Sequence, residues 1–372
     1  MQSIECLNTG IIYRNPKPHL RSVHAYFPSV VVLSDNELLA VLVLGSAFES
    51  TDFHVHVARS KDGGASWALE GPLYEPPTDR LTTDACRITR MPDGEIVALL
   101  AVFERPDPEE GLASHETLGF VPMEFVLLRS RDDGHTWTDP EPIASPLVGP
   151  AFELCCPILP QKSGRWLLPT STWKSWEGDC PNGMKAIAFA STDQGKTWPE
   201  YVDVMDGYAD SIIHWEQKII ELDGDRLMSV AWGFNEAEGV DLPNQYALSE
   251  DGGRHFGPPK STGLLGQTLT PIRLPDGRIL CVYRRMDQPG LWANLSRIEG
   301  DQWVNGSDAP LWGANTTGLL KNGPTENMAA DFNVLKFGAP CATLLPNGEV
   351  FVAFWCVEDC VSNIRWLRVK IQ

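Results

Sequence analysis

A chain of 372 residues is too long for one ordinary layered core, which leaves either two or three domains or a repeat architecture that makes one large domain. The content of 43% hydrophobic and 21% charged residues is that of a folded globular protein and excludes disorder as the default state. A formal net charge of -19 with no cluster of basic residues argues against nucleic acid and anionic membrane as partners, and makes any pocket that gathers two or three arginines conspicuous.

Residues 1–14 hold no apolar run of signal-peptide length and no later segment approaches a membrane span, so a cytoplasmic protein is expected. Residues 2–8 read as a strand standing ahead of the first repeat. From there an apolar strand, a tight turn and a second apolar strand recur six times, at intervals of roughly sixty residues. The turns centre on Asp35-Asn36, Asp93-Gly94, Ser163-Gly164, Asp223-Gly224, Asp276-Gly277 and Asn347-Gly348.

A second element of the form Ser-x-Asp-x-Gly-x-Thr-Trp occupies residues 60–67, 130–137, 191–198 and, with Phe256 in place of the tryptophan, 249–256. Each copy follows a short apolar strand and suits a hairpin turn: the aspartate accepts backbone N–H bonds, the glycine takes positive φ and the ring covers the apolar face. The two elements alternate. One unit is therefore strand, turn, strand, long loop, strand, aspartate-containing turn, strand, which is a four-stranded antiparallel blade. Six units predict an all-β, six-bladed propeller filling residues 1–372 as one domain, with the N-terminal strand supplying the strand that the last unit lacks.

Nine cysteines are an odd number. Cys6, Cys86, Cys281, Cys341 and Cys356 sit in apolar runs and read as reduced core residues, while Cys155-Cys156, Cys180 and Cys360 have no spacing of a zinc site. Neither a metal nor a cofactor is expected.

The four aspartate-containing turns on six units resemble the Asp-box, or BNR-repeat, sialidase (neuraminidase) superfamily over essentially the whole chain. That resemblance implies a sialidase-like propeller with the boxes at the blade periphery and an active site built from three arginines on the substrate carboxylate, a tyrosine nucleophile with a glutamate partner, and an aspartate as acid/base. A guanidinium matches a carboxylate in a two-pronged bond, and a carboxylate beside a phenol helps it lose its proton. The family's first Arg-Ile-Pro corresponds here to Tyr26-Phe27-Pro28, so a tyrosine replaces the first arginine, with Arg21 five residues away. The partner glutamate corresponds to Glu216, and the arginine of the paired strand falls near Trp232. The nucleophile's place holds Thr268 or Ala339, so the tyrosine is absent. The acid/base position on the first blade offers Glu49 and Asp52.

The topology itself puts both turn elements on one face and the long loops and crossovers on the other, where binding residues concentrate. Those loops supply Asp84, Glu153 and Glu216 as opposed carboxylates for acid/base hydrolysis of a glycosidic bond. Arg87 and Arg284 are candidates for holding an anion, His24 and His214 for a base, and Tyr26 and Tyr283 for a nucleophile, proton donor or substrate contact. Trp173, Trp215 and Trp232 offer platforms for a sugar ring. Three functions stay open: a glycoside hydrolase for a small acidic or modified sugar, a lyase abstracting a proton beside a uronate carboxylate, and a glycan-binding propeller without catalysis. The 303–337 crossover is expected to cover the well or to make a subunit contact.

Overall fold

A computed structural model describes residues 3–316 and 334–372. Strand β1 (Ile4–Tyr13) comes first. Blade 1 is β2 (His24–Val32), β3 (Leu38–Gly45), β4 (His54–Ser60) and β5 (Ala68–Pro72), and blade 2 is β6 (Thr82–Arg90), β7 (Ile96–Glu104), β8 (Met123–Ser130) and β9 (Glu141–Pro142). In blade 3 the inner strand is split into β10 (Ala151–Phe152) and β11 (Leu159–Pro160), both paired with β12 (Trp166–Trp173), followed by β13 (Ala186–Ser191) and β14 (Glu200–Met205). Blade 4 is β15 (Ile212–Glu221), β16 (Leu227–Asn235), β17 (Val240–Ser249) and β18 (Lys260–Ser261); blade 5 is β19 (Gly266–Arg273), β20 (Ile279–Arg285), β21 (Leu291–Glu299) and β22 (Gln302–Trp312). Blade 6 is β23 (Phe337–Leu344), β24 (Val350–Glu358) and β25 (Val361–Ile371), and β1 pairs with β25 from Ile4 opposite Ile371 to Tyr13 opposite Ile364. A single 3-10 turn, Tyr208–Asp210, is the only helical piece among the described residues.

The second strand of each blade is sandwiched on both faces by neighbouring blades, so it reads as a continuous apolar run rather than an alternating one. All eight residues of β3 are buried, as is almost all of β7 and β24. The outer strand β5 is mostly exposed. The core is accordingly a ring of apolar layers between blades; one runs from Phe351 and Ala353 of blade 6 through Leu39 and Val41 of blade 1 to Ile88 and Leu128 of blade 2.

The aspartate-containing turns staple the outer hairpins. In the copy at 130–137, the Ser130 hydroxyl donates to Asp132 Oδ1 at 2.8 Å and accepts the Gly134 N–H, while Asp132 accepts the Thr136 N–H and hydroxyl. These bonds hold the Asp132 carboxyl far below its usual range, and the Thr197 hydroxyl and N–H hold Asp193 at about 2. Gly134 packs against Leu39 of the preceding blade, where an added Cβ would lie 2.5 Å from Leu39 Cδ2. The turn at 60–67 donates its Gly63 N–H to Asn36 O, and that at 249–256 its Gly252 N–H to Asp225 O, which puts both turn elements on one face.

Two expectations are corrected. The first ten residues of the 303–337 stretch form the outer strand of blade 5, because that blade turns at Gly300-Asp301 without the repeated element; 317–333 lie outside the described residues. Cys6 is exposed on the outermost strand rather than in the core.

Candidate active site

The inner strands leave an axial cavity of about 770 Å³, lined by all six blades. Its geometry comes from one repeated irregularity. The ladders of β2, β15, β19 and β23 each slip between Tyr26 and Ser29, Trp215 and Lys218, Gln267 and Thr270, and Gly338 and Cys341. Within these bulges Phe27, Glu216, Thr268 and Ala339 take φ of 51°, 51°, 56° and 45°. A bulge re-aims the side chain at its apex, here into the cavity. Left-handed backbone at non-glycine residues costs on the order of 1–3 kcal/mol each, most severely for a β-branched residue such as Thr268. Blade 3 reaches the same end by breaking its strand, which brings Glu153 to the wall, and blade 2 keeps a regular strand and contributes Arg87.

Consecutive blades are joined through the bulges. Glu153 Oε2 accepts the Glu216 N–H at 2.8 Å, and Glu216 Oε2 accepts the Thr268 N–H at 2.9 Å. Each carboxyl group is thereby fixed by one oxygen. Burial pushes Glu153 up to about 8, helped by the neighbouring Glu216 and opposed by the Glu216 N–H and by Lys218. Lys218 lies one turn of the pleat below, donating to Glu216 O at 3.1 Å.

Glu49 enters from the opposite side, on the loop between β3 and β4 of blade 1, and lines the same cavity. Burial raises its pKa against the pull of the Leu112 N–H, Arg105 and His115. Arg105, itself 4% exposed, donates to Glu49 O at 2.8 Å and to Glu110 O at 2.6 Å, which anchors this loop. Asp52 sits in the same loop but turns away: its Oδ1 accepts the Ser46 N–H and hydroxyl, and these bonds outweigh burial and lower its pKa.

Arg87 lines the cavity with bonds to Phe27 O at 3.3 Å and Cys86 O at 3.1 Å, and no carboxylate pairs with it among the described residues. Arg284 is held by Gln267 Oε1 and donates to Phe337 O at 2.9 Å. Phe27, Phe48 and Leu112 make one wall apolar. Trp215 and Trp232, 4.3 Å apart, face the cavity at the other. Two polar atoms of lining residues are buried without a partner, Thr268 Oγ1 and Trp215 Nε1.

Apart from Asp84, the structure does not bring the remaining candidates into this cavity. Asp84 touches it, but its carboxylate is spent between blades on His54 Nδ1 at 2.7 Å, the Val55 N–H at 2.8 Å and the Tyr74 hydroxyl at 3.1 Å. Tyr26 is packed among Phe48, Phe53 and Trp355 and takes a hydrogen bond from Ser362, while His24 accepts the Ser362 N–H. His214 is 1% exposed, bonded to Gln245 Oε1 at 2.7 Å, and burial lowers its pKa. Tyr283 is buried between blades. Trp173 is stacked between Phe120 and Trp215 with its N–H on Leu118 O, and Arg21 lies exposed on the crossover before β2. Tyr26 sits one residue off the apex at Phe27 and Tyr283 one strand off that at Thr268, and both side chains enter inter-blade layers. Lys218, Gln267, Arg105 and Phe48 were missed. The signal for Lys218 was its period-two spacing from Glu216, whereas Arg105 acts through the backbone of a distant loop and left no sequence trace.

The family model for the BNR repeat-like domain matches residues 36–308. Among solved structures, a protein of unknown function from Dyadobacter fermentans DSM 18053 aligns over 99% of both chains at 20% identity with a TM-score of 0.72. The NanB sialidase of Streptococcus pneumoniae, as its K499G mutant, aligns over 97% of this chain and 70% of its own at 12% identity with a TM-score of 0.62. A Trypanosoma rangeli sialidase in complex with sialic acid aligns over 94% of this chain and 55% of its own at 13% identity with a TM-score of 0.61. No curated protein matches the chain. At these identities the likeness is one of fold.

Proposed function

The chain belongs to the family of BNR repeat-like domains, and from that premise we propose that it is a glycoside hydrolase acting on a small acidic or modified sugar. The observation that carries this reading is the placement of Glu49 and Glu216 on blades 1 and 4, opposite members of the ring of six, with both side chains lining one cavity. Hydrolysis of a glycosidic bond needs an acid on one side of the scissile bond and a base or nucleophile on the other. Glu49, with its raised pKa, serves as the acid that protonates the leaving oxygen. Glu216, anchored through Oε2, serves as the base, and Glu153 fixes the backbone bulge that aims it.

Arg87 and Arg284 supply positive charge inside a protein of formal net charge -19, which favours an anionic group on the sugar. The apolar wall where the family's first arginine is expected favours a ligand that is not gripped by three guanidinium groups, hence a modified sugar rather than an ordinary sialoside. Nine cysteines free of disulfides fit a reducing compartment such as the cytoplasm. Among the described residues no helix is long and apolar enough to cross a membrane.

The test is a screen of the purified protein against chromogenic sialosides, uronides and other acidic glycosides, with double-bond absorbance followed in parallel. Turnover by hydrolysis that drops about 100-fold or more in both Glu49→Gln and Glu216→Gln supports the reading. Unchanged turnover in either variant, or product carrying a new double bond, overturns it.

A further inference from the structure

A bulge re-aims the side chain at its apex and also leaves the apex carbonyl outside the ladder, where it needs another donor. In this cavity the donors are side chains that line it. Phe27 O on blade 1 accepts from Arg87 Nη1 at 3.3 Å, Glu216 O on blade 4 from Lys218 Nζ at 3.1 Å, and Thr268 O on blade 5 from Thr270 Oγ1 at 3.4 Å. Of these apices only Glu216 carries a carboxyl group. Its backbone is gripped from both sides, the N–H by Glu153 Oε2 at 2.8 Å and the carbonyl by Lys218. Among the described residues Lys218 forms no ion pair, although Glu49 and Glu153 line the same cavity. An ammonium spent on a backbone carbonyl in such a place serves the geometry of the backbone rather than charge pairing. Its charge also reaches Glu153, where it opposes the effect of burial.

We propose that Lys218 is a positioning residue: by holding the Glu216 carbonyl, it keeps the blade 4 apex in the left-handed form that points the Glu216 side chain into the cavity. The inference rests on the reading of Glu216 as the base of the hydrolysis. Without the ammonium the carbonyl loses its donor, and nothing on that side holds the apex at its φ of 51°. Left-handed backbone at a non-glycine residue is strained, and relaxation towards extended backbone relieves it. The carboxyl group then leaves the Thr268 N–H, which fixes it at 2.9 Å, and swings away from the substrate. A misplacement of about 1 Å costs roughly 100-fold in rate.

The test compares variants of the full chain on a glycoside that the screen shows to be cleaved. Lys218→Met is expected to lower kcat by about 100-fold with KM within about threefold, and to hold or raise Tm because strain is released. Lys218→Arg, long enough to reach the carbonyl as Arg87 reaches Phe27 O, is expected to keep kcat within about fivefold. Lys218→Thr copies the residue that blade 5 carries at this place and guards against misfolding; a loss of about 10-fold is expected. Wild-type kcat in the methionine or threonine variant, a fall in Tm with kcat kept, or an arginine variant as slow as the methionine one overturns the proposal and leaves the hydrolase reading standing. Full turnover in Glu216→Gln overturns both. A crystal structure of Lys218→Met gives a readout that needs no turnover. Residue 216 is expected to have left the left-handed region, and a Glu216 carboxyl group still on the Thr268 N–H at positive φ overturns the proposal.

Discussion

The two faces of the propeller solve opposite problems with the same strands. On the turn face, four aspartate-containing elements repeat nearly the same bonds, and in each the serine hydroxyl and the aspartate carboxylate are satisfied within the turn. On the well face, bulges hold four non-glycine residues in left-handed backbone, carboxylates face one another's neighbourhood, and two polar side-chain atoms lie buried without partners. Left-handed backbone and unpartnered buried atoms also occur in the turns, at Asp133, Gln194, Trp137 Nε1 and Trp198 Nε1, so what separates the faces is that the turns reuse one bonding pattern while each blade presents a different side chain to the well. Redundancy marks the scaffold; departure from the repeat marks the site.

The largest effect that would break this division is on rate. Glu216→Gln is expected to lower turnover about 100-fold or more while shifting stability by less than about 0.5 kcal/mol, because the amide oxygen still accepts the Thr268 N–H. Enzyme kinetics beside a denaturant titration separate the two. A large loss of stability would make Glu216 a structural residue and dissolve the contrast between the faces.

The mirror experiment is Asp132→Ala on the turn face. It deletes the acceptor for the Ser130 hydroxyl and for the Thr136 N–H and hydroxyl, and is expected to cost about 1–2 kcal/mol with kcat unchanged. The loss appears as a lower denaturant midpoint at constant slope. Because Asp132 is highly exposed, stability spread over four such turns limits the damage of losing one.

This difference also explains how far the sequence was legible. The turns at Asp93-Gly94 and Asp276-Gly277 and the elements around Asp132 and Asp193 are local: a few adjacent residues determine the bonds, so the six blades can be read off a single sequence. The cavity depends on which side chain a bulge re-aims, and nothing local distinguishes Tyr26, which packs between blades, from Phe27 next to it, which faces the cavity. Glu49 and Glu153 lie in breaks between strands, where a charged group has few places to go but the well, whereas Glu216 reaches the cavity only because β15 bulges at that residue. Asp84 reaches the cavity wall, but the commitment of its carboxylate to His54, Val55 and Tyr74 was not legible, because those partners belong to another blade. Thr268 was legible only as an absence, the residue standing where a tyrosine was sought.

The remaining expected effect is the most specific to the well face, since it reverses the usual sign of a mutation. Glu153 has a folded-state pKa of about 8, above its ordinary value of 4.5, because its surroundings favour the neutral form. The folded protein therefore holds a proton that the unfolded chain releases near pH 4.5. The neutral form's stability is fully present below that pH and is lost as the pH rises through about 8. Glu153→Gln cannot ionise yet keeps an oxygen for the Glu216 N–H, so it should lie close to the wild type near pH 5 and exceed it by up to about 4 kcal/mol near pH 9. Thermal denaturation at the two pH values measures the difference. A gain in Tm at pH 9 together with a loss of turnover would show the well face giving up stability to keep a carboxyl group where the chemistry needs it, whereas equal curves at both pH values would mean that Glu153 titrates as an ordinary surface acid and belongs with the scaffold.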